Sequence, residues 1–115
     1  MPFLRLTSSD PGTEAKAPAL SAELSQSISA LLGKPEMYVM ISISTSVMRM
    51  SGTDAPAAFI DLRSVGGISP QKNKILSKTL SGIVQKHLAV PADRIFLTFT
   101  DIPGASWDWN GDTFG

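Results

Sequence analysis

The sequence predicts an α+β fold: a two-layer sandwich in which duplicated β-α-β units build one four-stranded mixed sheet with two helices on one face. Three observations predict it. The 115-residue chain matches itself when slid by about half its length. Apolar residues recur at helical spacing in each half. Proline, glycine and serine punctuate the segments between.

A shift of 56 residues lays FLRLTS (Phe3 to Ser8) on FIDLRS (Phe59 to Ser64), with Phe, Leu and Ser identical. These are the first strands of each half. TSSDPGTEAKAP then reads as a loop, with Pro18 suited to a first helical turn. Leu20, Leu24, Ile28, Leu31 and Leu32 mark the first helix. Gly33 suits its C-terminus and Pro35 stops it. VMISIS (Val39 to Ser44) is the second strand, and SGTDAP is loop chemistry between the halves. In the second half, Ser69 is a plausible N-cap with Pro70 at the first helical position. That helix runs through Ile75, Leu76, Leu80, Ile83, Val84 and Leu88. Leu76, Leu80, Val84 and Leu88 fall on the leucines and isoleucine of the first helix, Pro91 on Pro35, and IFLTFT on VMISIS. Parallel strands joined through a helix take a right-handed crossover, which places both helices on one face. YVMISIS and RIFLTFT read as apolar on both faces. A bare apolar sheet face marks an interface, so a homo-oligomer is expected.

The length implies one domain, residues 1–115, with pseudo-repeats at about 1–56 and 57–115. Ten basic and ten acidic residues leave no formal net charge, which argues against nucleic acid as the main partner. No cysteine means no disulfide, thiol nucleophile or thiolate metal site. There is no 18-residue apolar stretch to span a membrane and no signal-peptide pattern, so a cytoplasmic location is the default expectation.

Few residues carry chemistry on their own. Pro2 reads as a strand-start proline, or as a free secondary amine once Met1 is removed. Lys34 reads as a cation favoured at a helix C-terminus. Trp107, Trp109 and Phe114, among Gly, Asp and Asn, read as a docked tail or as the edge of a pocket. His87 is the only histidine and reads as a helical residue, so neither a catalytic triad nor a metal site is expected. Gly66-Gly67 is a strand-to-helix turn and not a phosphate loop. Met37, Met40, Met48 and Met50 read as packing.

Taken together, the MP start, LLGKP (Leu31 to Pro35), LRSVGGI (Leu62 to Ile68), PADRIFLTFTD and the SWDWNGDTFG tail resemble the macrophage migration inhibitory factor family of the tautomerase superfamily. The resemblance covers nearly the whole chain. It implies a homotrimer whose sheets surround a channel, and a cofactor-free keto–enol tautomerase acting on small carboxylates such as phenylpyruvate or dopachrome derivatives. It implies Pro2 as the catalytic base and acid, exposed after Met1 is lost. With Met1 attached, Pro2 is a tertiary amide with no basic lone pair. A dry pocket and a nearby cation lower an amine's pKa, and Lys34 is placed to supply that cation. The resemblance also implies that Lys34 and the Val65 backbone bind the substrate carboxylate, with Trp107 and Phe114 in the apolar wall.

Two departures stand out. In mammalian members a tyrosine and an asparagine on the last long strand reach a neighbouring subunit's pocket; Phe96 and Thr98 stand there in this chain. The mammalian Cys-x-x-Cys is replaced at Ala57 and Ile60, so no thiol chemistry is expected. Two other readings compete with the enzyme. One is a cytokine-like receptor ligand with a vestigial pocket, which would add secretion without a signal peptide. The other is a scaffold trimer with residual chemistry.

Overall fold

The computed structural model describes residues 1–115. Strand β1 (Pro2–Ser8) leads into helix α1 (Thr13–Leu32) and strand β2 (Met40–Thr45). Strand β3 (Ala58–Ser64), helix α2 (Pro70–His87) and strand β4 (Ile95–Asp101) repeat that order. The half-length shift carries Pro2–Ser8 onto Ala58–Ser64 without a slip. The short 3-10 turns Glu36–Tyr38 and Ala92–Arg94 fall on each other under the same shift. A two-strand hairpin, β5 (Asp108–Trp109) and β6 (Asp112–Thr113), ends the chain.

The sheet order is β2-β1-β3-β4. β1 and β2 are parallel, β3 and β4 are parallel, and β1 and β3 are antiparallel, with Leu4 opposite Leu62 and Leu6 opposite Ile60. The sheet is therefore mixed, and the two repeats meet along the antiparallel seam.

Leu4, Leu6, Ile60 and Leu62 point to the helix layer and are fully buried. Leu20, Leu24 and Ile28 of α1, with Leu76, Leu80 and Val84 of α2, close over them. Burying each such side chain is worth about 2 kcal/mol relative to exposure.

The helix ends follow local chemistry. Ser69 Oγ accepts the Lys72 N–H at 3.1 Å, and Pro70 opens α2 where its missing N–H is not needed. Gly33 takes the left-handed φ of 64° that ends α1. Helix α1, however, starts at Thr13, and Pro18 lies inside it. The Asp10-Pro11-Gly12 turn supplies the earlier start: Asp10 Oδ2 accepts the Gly12 N–H, and Thr13 Oγ1 donates to the Asp10 carbonyl at 2.7 Å. Pro18 thus forfeits one intrahelical bond near the N-terminus.

Two expectations about packing are corrected. β2 and β4 are not apolar on both faces. Ile41, Ile43, Ile95, Leu97 and Phe99 turn to the helices. The open face carries Met40, Ser42, Ser44, Phe96, Thr98 and Thr100, beside Phe3, Arg5, Phe59, Asp61 and Arg63 of the central strands. The period-2 alternation of each strand separates the two sets. The open face is thus mixed, and it does not by itself demand an apolar cover. Ile75, on the outer side of α2, is 51% exposed. Met37 and Met40 are 78% and 64% exposed and are not core packing.

Candidate active site

Pro2 begins β1, a central strand, yet its missing N–H costs the ladder nothing. It stands opposite Ser64, and the neighbouring Val65 N–H donates to the Met1 carbonyl at 3.4 Å. That pattern makes Pro2–Ser64 a pair with no hydrogen bond between its own members. Pro2 is buried, and Met1 is half-buried.

Lys34 reaches the same end of the sheet because Gly33 turns the chain at the close of α1. Ser29 locks that turn twice: its carbonyl accepts the Lys34 N–H at 3.1 Å, and its hydroxyl donates to the Lys34 carbonyl at 2.6 Å. Val65 follows β3 directly. The next residues, Gly66 and Gly67, hold φ of 79° and 82°, which L side chains resist. Asp101 Oδ1 accepts the Gly66 N–H at 3.1 Å and fixes that turn.

The C-terminal hairpin completes the site. Asn110 and Gly111 have φ of 56° and 83°, as a tight two-residue turn of the type I′ class requires. Phe114 then returns to the body, its N–H shared between the Gly104 and Trp107 carbonyls.

Two cavities result. The inner one, about 230 Å³, is lined by Met1, Lys34, Pro35, Tyr38, Val65 and Phe114. The outer one, about 360 Å³, takes in Pro2, Phe3 and Trp107, and again Met1 and Tyr38. Met1 and Tyr38 line both of them. The Met1 amine has a pKa below its ordinary value. Burial is the larger cause, and repulsion by the Lys34 ammonium is the second. An amine at this place is driven toward its neutral, basic form.

Of the residues expected at a site, the fold gathers Pro2, Lys34, Val65, Trp107 and Phe114 around these two cavities. It does not bring Phe96 and Thr98 there within one chain. Both lie on the open face of β4, in register with Phe59 and Asp61, whereas Pro2 is level with Ser64. Thr98 Oγ1 instead donates to Asp61 at 3.2 Å. The largest cavity, about 830 Å³ between α2 and β4, contains none of these residues. His87 is engaged elsewhere, its Nε2 2.8 Å from Glu23 Oε1 across the two helices.

Tyr38 was not anticipated as a site residue, nor was Asp108 of the outer cavity. The Asn110-Gly111 pair flanked by Asp-Trp and Asp-Thr is a hairpin signal that points to the second. Tyr38 has no comparable signal, since a short 3-10 turn carries it.

Comparison with known proteins agrees with this geometry. The family model described as macrophage migration inhibitory factor matches residues 1–115. A homologue from Trichuris trichiura is 38% identical over 91 residues, covering 78% of this chain and 80% of that protein. The macrophage migration inhibitory factor of Mus musculus is 34% identical over 94 residues, covering 81% and 82%. Among solved structures, a homologue from Prochlorococcus marinus superposes with a TM-score of 0.93 at 37% identity, covering 98% of this chain and 99% of that one. The protein from Toxoplasma gondii gives 0.91 at 34%, covering 97% and 99%. Sequence match, fold and coverage point the same way, and this chain belongs to the macrophage migration inhibitory factor family.

Proposed function

We propose that the mature protein is a cofactor-free keto–enol tautomerase of small carboxylates with an aryl or alkyl tail, phenylpyruvate being the reference compound. The observation that carries this reading is the placement of the chain's terminal amine. It stands partly desolvated at the junction of two cavities, and the Lys34 ammonium depresses its pKa.

Removal of Met1 transfers the free amine to Pro2. In the keto-to-enol direction, the Pro2 nitrogen takes the proton from the carbon beside the keto group. The C–H electron pair becomes the C=C bond, and the carbonyl oxygen takes the negative charge. Lys34 stabilises that charge in a low-dielectric site and holds the substrate carboxylate with the Val65 backbone. The protonated Pro2 then returns its proton to the enolate oxygen. An amine pKa near the working pH suits both steps. No cofactor enters the balance.

A homotrimer belongs to the same reading. β2 and β4 are the free edges of the sheet, and Phe96 and Thr98 face away from their own chain's site. A neighbouring subunit's pocket gives them a place. The test is direct. Mass spectrometry establishes loss of Met1, and phenylpyruvate ketonisation is compared between wild type and Pro2→Gly. A large fall in rate is expected; equal rates remove Pro2 from the mechanism.

A cytokine-like binding role is the second reading, favoured by the names of the vertebrate relatives. A processed protein that turns over no keto acid yet binds a receptor specifically would support it.

A further inference from the structure

One charged side chain borders the outer cavity, which the terminal amine also adjoins. Phe3, Met37, Tyr38, Trp107 and Trp109 form its walls, and Asp108 is the only ionisable side chain among them besides the Tyr38 phenol. Trp109 is held edge-on to Tyr38, with ring centroids 5.6 Å apart and planes at 88°. The rings are therefore braced against each other. Asp108 is exposed and also borders a neighbouring cavity lined by Arg63, but its carboxylate makes no ion pair within the chain, Arg63 being paired with Asp61 at 3.3 Å. Electron-rich ring faces with one free carboxylate have a defined chemical preference, which is for a cation.

Position adds to this. Met1 and Tyr38 line both the outer cavity and the inner one. Lys34 belongs to one cavity, Pro2 and Asp108 to the other, and removal of Met1 takes away one of the two residues that line both.

We infer that Asp108 is a specificity-determining residue, and that the site favours α-keto acids whose tail ends in an ammonium group. Lys34 takes the carboxylate, and the Trp107–Trp109–Tyr38 wall with Asp108 takes the distal cation. This rests on the tautomerase reading only for which end of the ligand reacts.

The experiment uses the processed protein and three unreactive probes: cinnamate, 4-hydroxycinnamate and 4-(aminomethyl)cinnamate. Binding is followed by quenching of tryptophan fluorescence. The ammonium probe should bind about tenfold tighter than cinnamate, as a charge-assisted hydrogen bond allows. Asp108→Asn keeps an acceptor oxygen and removes the charge; it should bring that ratio close to one. Added salt should shrink the ratio in wild type. Three results overturn the inference: equal affinity for cinnamate and the ammonium probe, an undiminished ratio in Asp108→Asn, or a gain as large for the neutral hydroxyl probe. The two readings fail separately. Turnover of phenylpyruvate without the ammonium preference sinks this inference alone. The preference without any turnover sinks the enzymatic reading and leaves this one standing.

Discussion

The Lys34 ammonium rests against the bare Cα of Gly66: a Cβ built on that glycine would lie 3.6 Å from Nζ. The two residues come from opposite repeats, Lys34 from the end of α1 and Gly66 from the turn after β3. Their contact joins the charge of the site to the backbone that faces it.

Gly66→Ala should therefore act twice. The left-handed φ of 79° costs an alanine roughly 1–2 kcal/mol, which thermal unfolding will read. The added methyl would also meet Nζ in ordinary van der Waals contact, replacing open space beside the ammonium with an apolar group. The Michaelis constant for phenylpyruvate should rise more than kcat falls.

Lys34→Met should lower kcat/KM by about a hundredfold, the scale of losing one donor to a developing oxyanion. It should also move the pH profile. The Lys34 charge disfavours protonation of the neighbouring amine, so its removal raises that amine's pKa. The ascending limb of kcat/KM should shift to higher pH. An unchanged limb would separate Lys34 from the base.

Glu23 ties the two helices through His87 Nε2 at 2.8 Å and Lys86 Nζ at 2.9 Å. The hydrogen bond to His87, then that to Lys86, holds the Glu23 pKa below its ordinary value. A depressed carboxylate pKa stabilises the fold above the unfolded-state value and stops doing so as pH falls through the folded-state value. Wild type should unfold at a higher temperature than Glu23→Gln at pH 6. The gap should close once the pH is taken below the ordinary glutamate range.

Arg94 donates to the carbonyls of Met50, Thr53, Ala55 and Pro56. It is the post that holds the loop between the repeats. Arg94→Ala should cost about 1–3 kcal/mol and speed amide exchange across residues 50–56. Exchange in β1 and β3 should change only in step with global stability.

The repeat was legible because both halves solve the same packing problem. Leu6 and Leu62, or Leu24 and Leu80, must each meet the other layer, and such constraints keep apolar residues in register. The Ser69-Pro70 start of α2 was legible because capping is local. The start of α1 was not. Asp10 and Thr13 bond each other across a Pro-Gly turn, and Pro18 then sits where a helix tolerates it less well. The open sheet face was misread because VMISIS and IFLTFT look apolar as strings, whereas their alternation sends serine and threonine outward. At the site, Pro2, Lys34 and Val65 were legible through short motifs. Tyr38 was not, since a 3-10 turn with no sequence signal carries it, and Asp108 was missed although the Asn110-Gly111 hairpin signal lies beside it.

The most direct measurement is a nitrogen-15 NMR titration of Pro2 in protein shown by mass spectrometry to begin at that residue. The account predicts an amine that loses its proton well below the range of an ordinary secondary amine. Its midpoint should coincide with the ascending limb of kcat/KM and rise in Lys34→Met. A Pro2 nitrogen that titrates as a solvated amine, indifferent to Lys34, would contradict it.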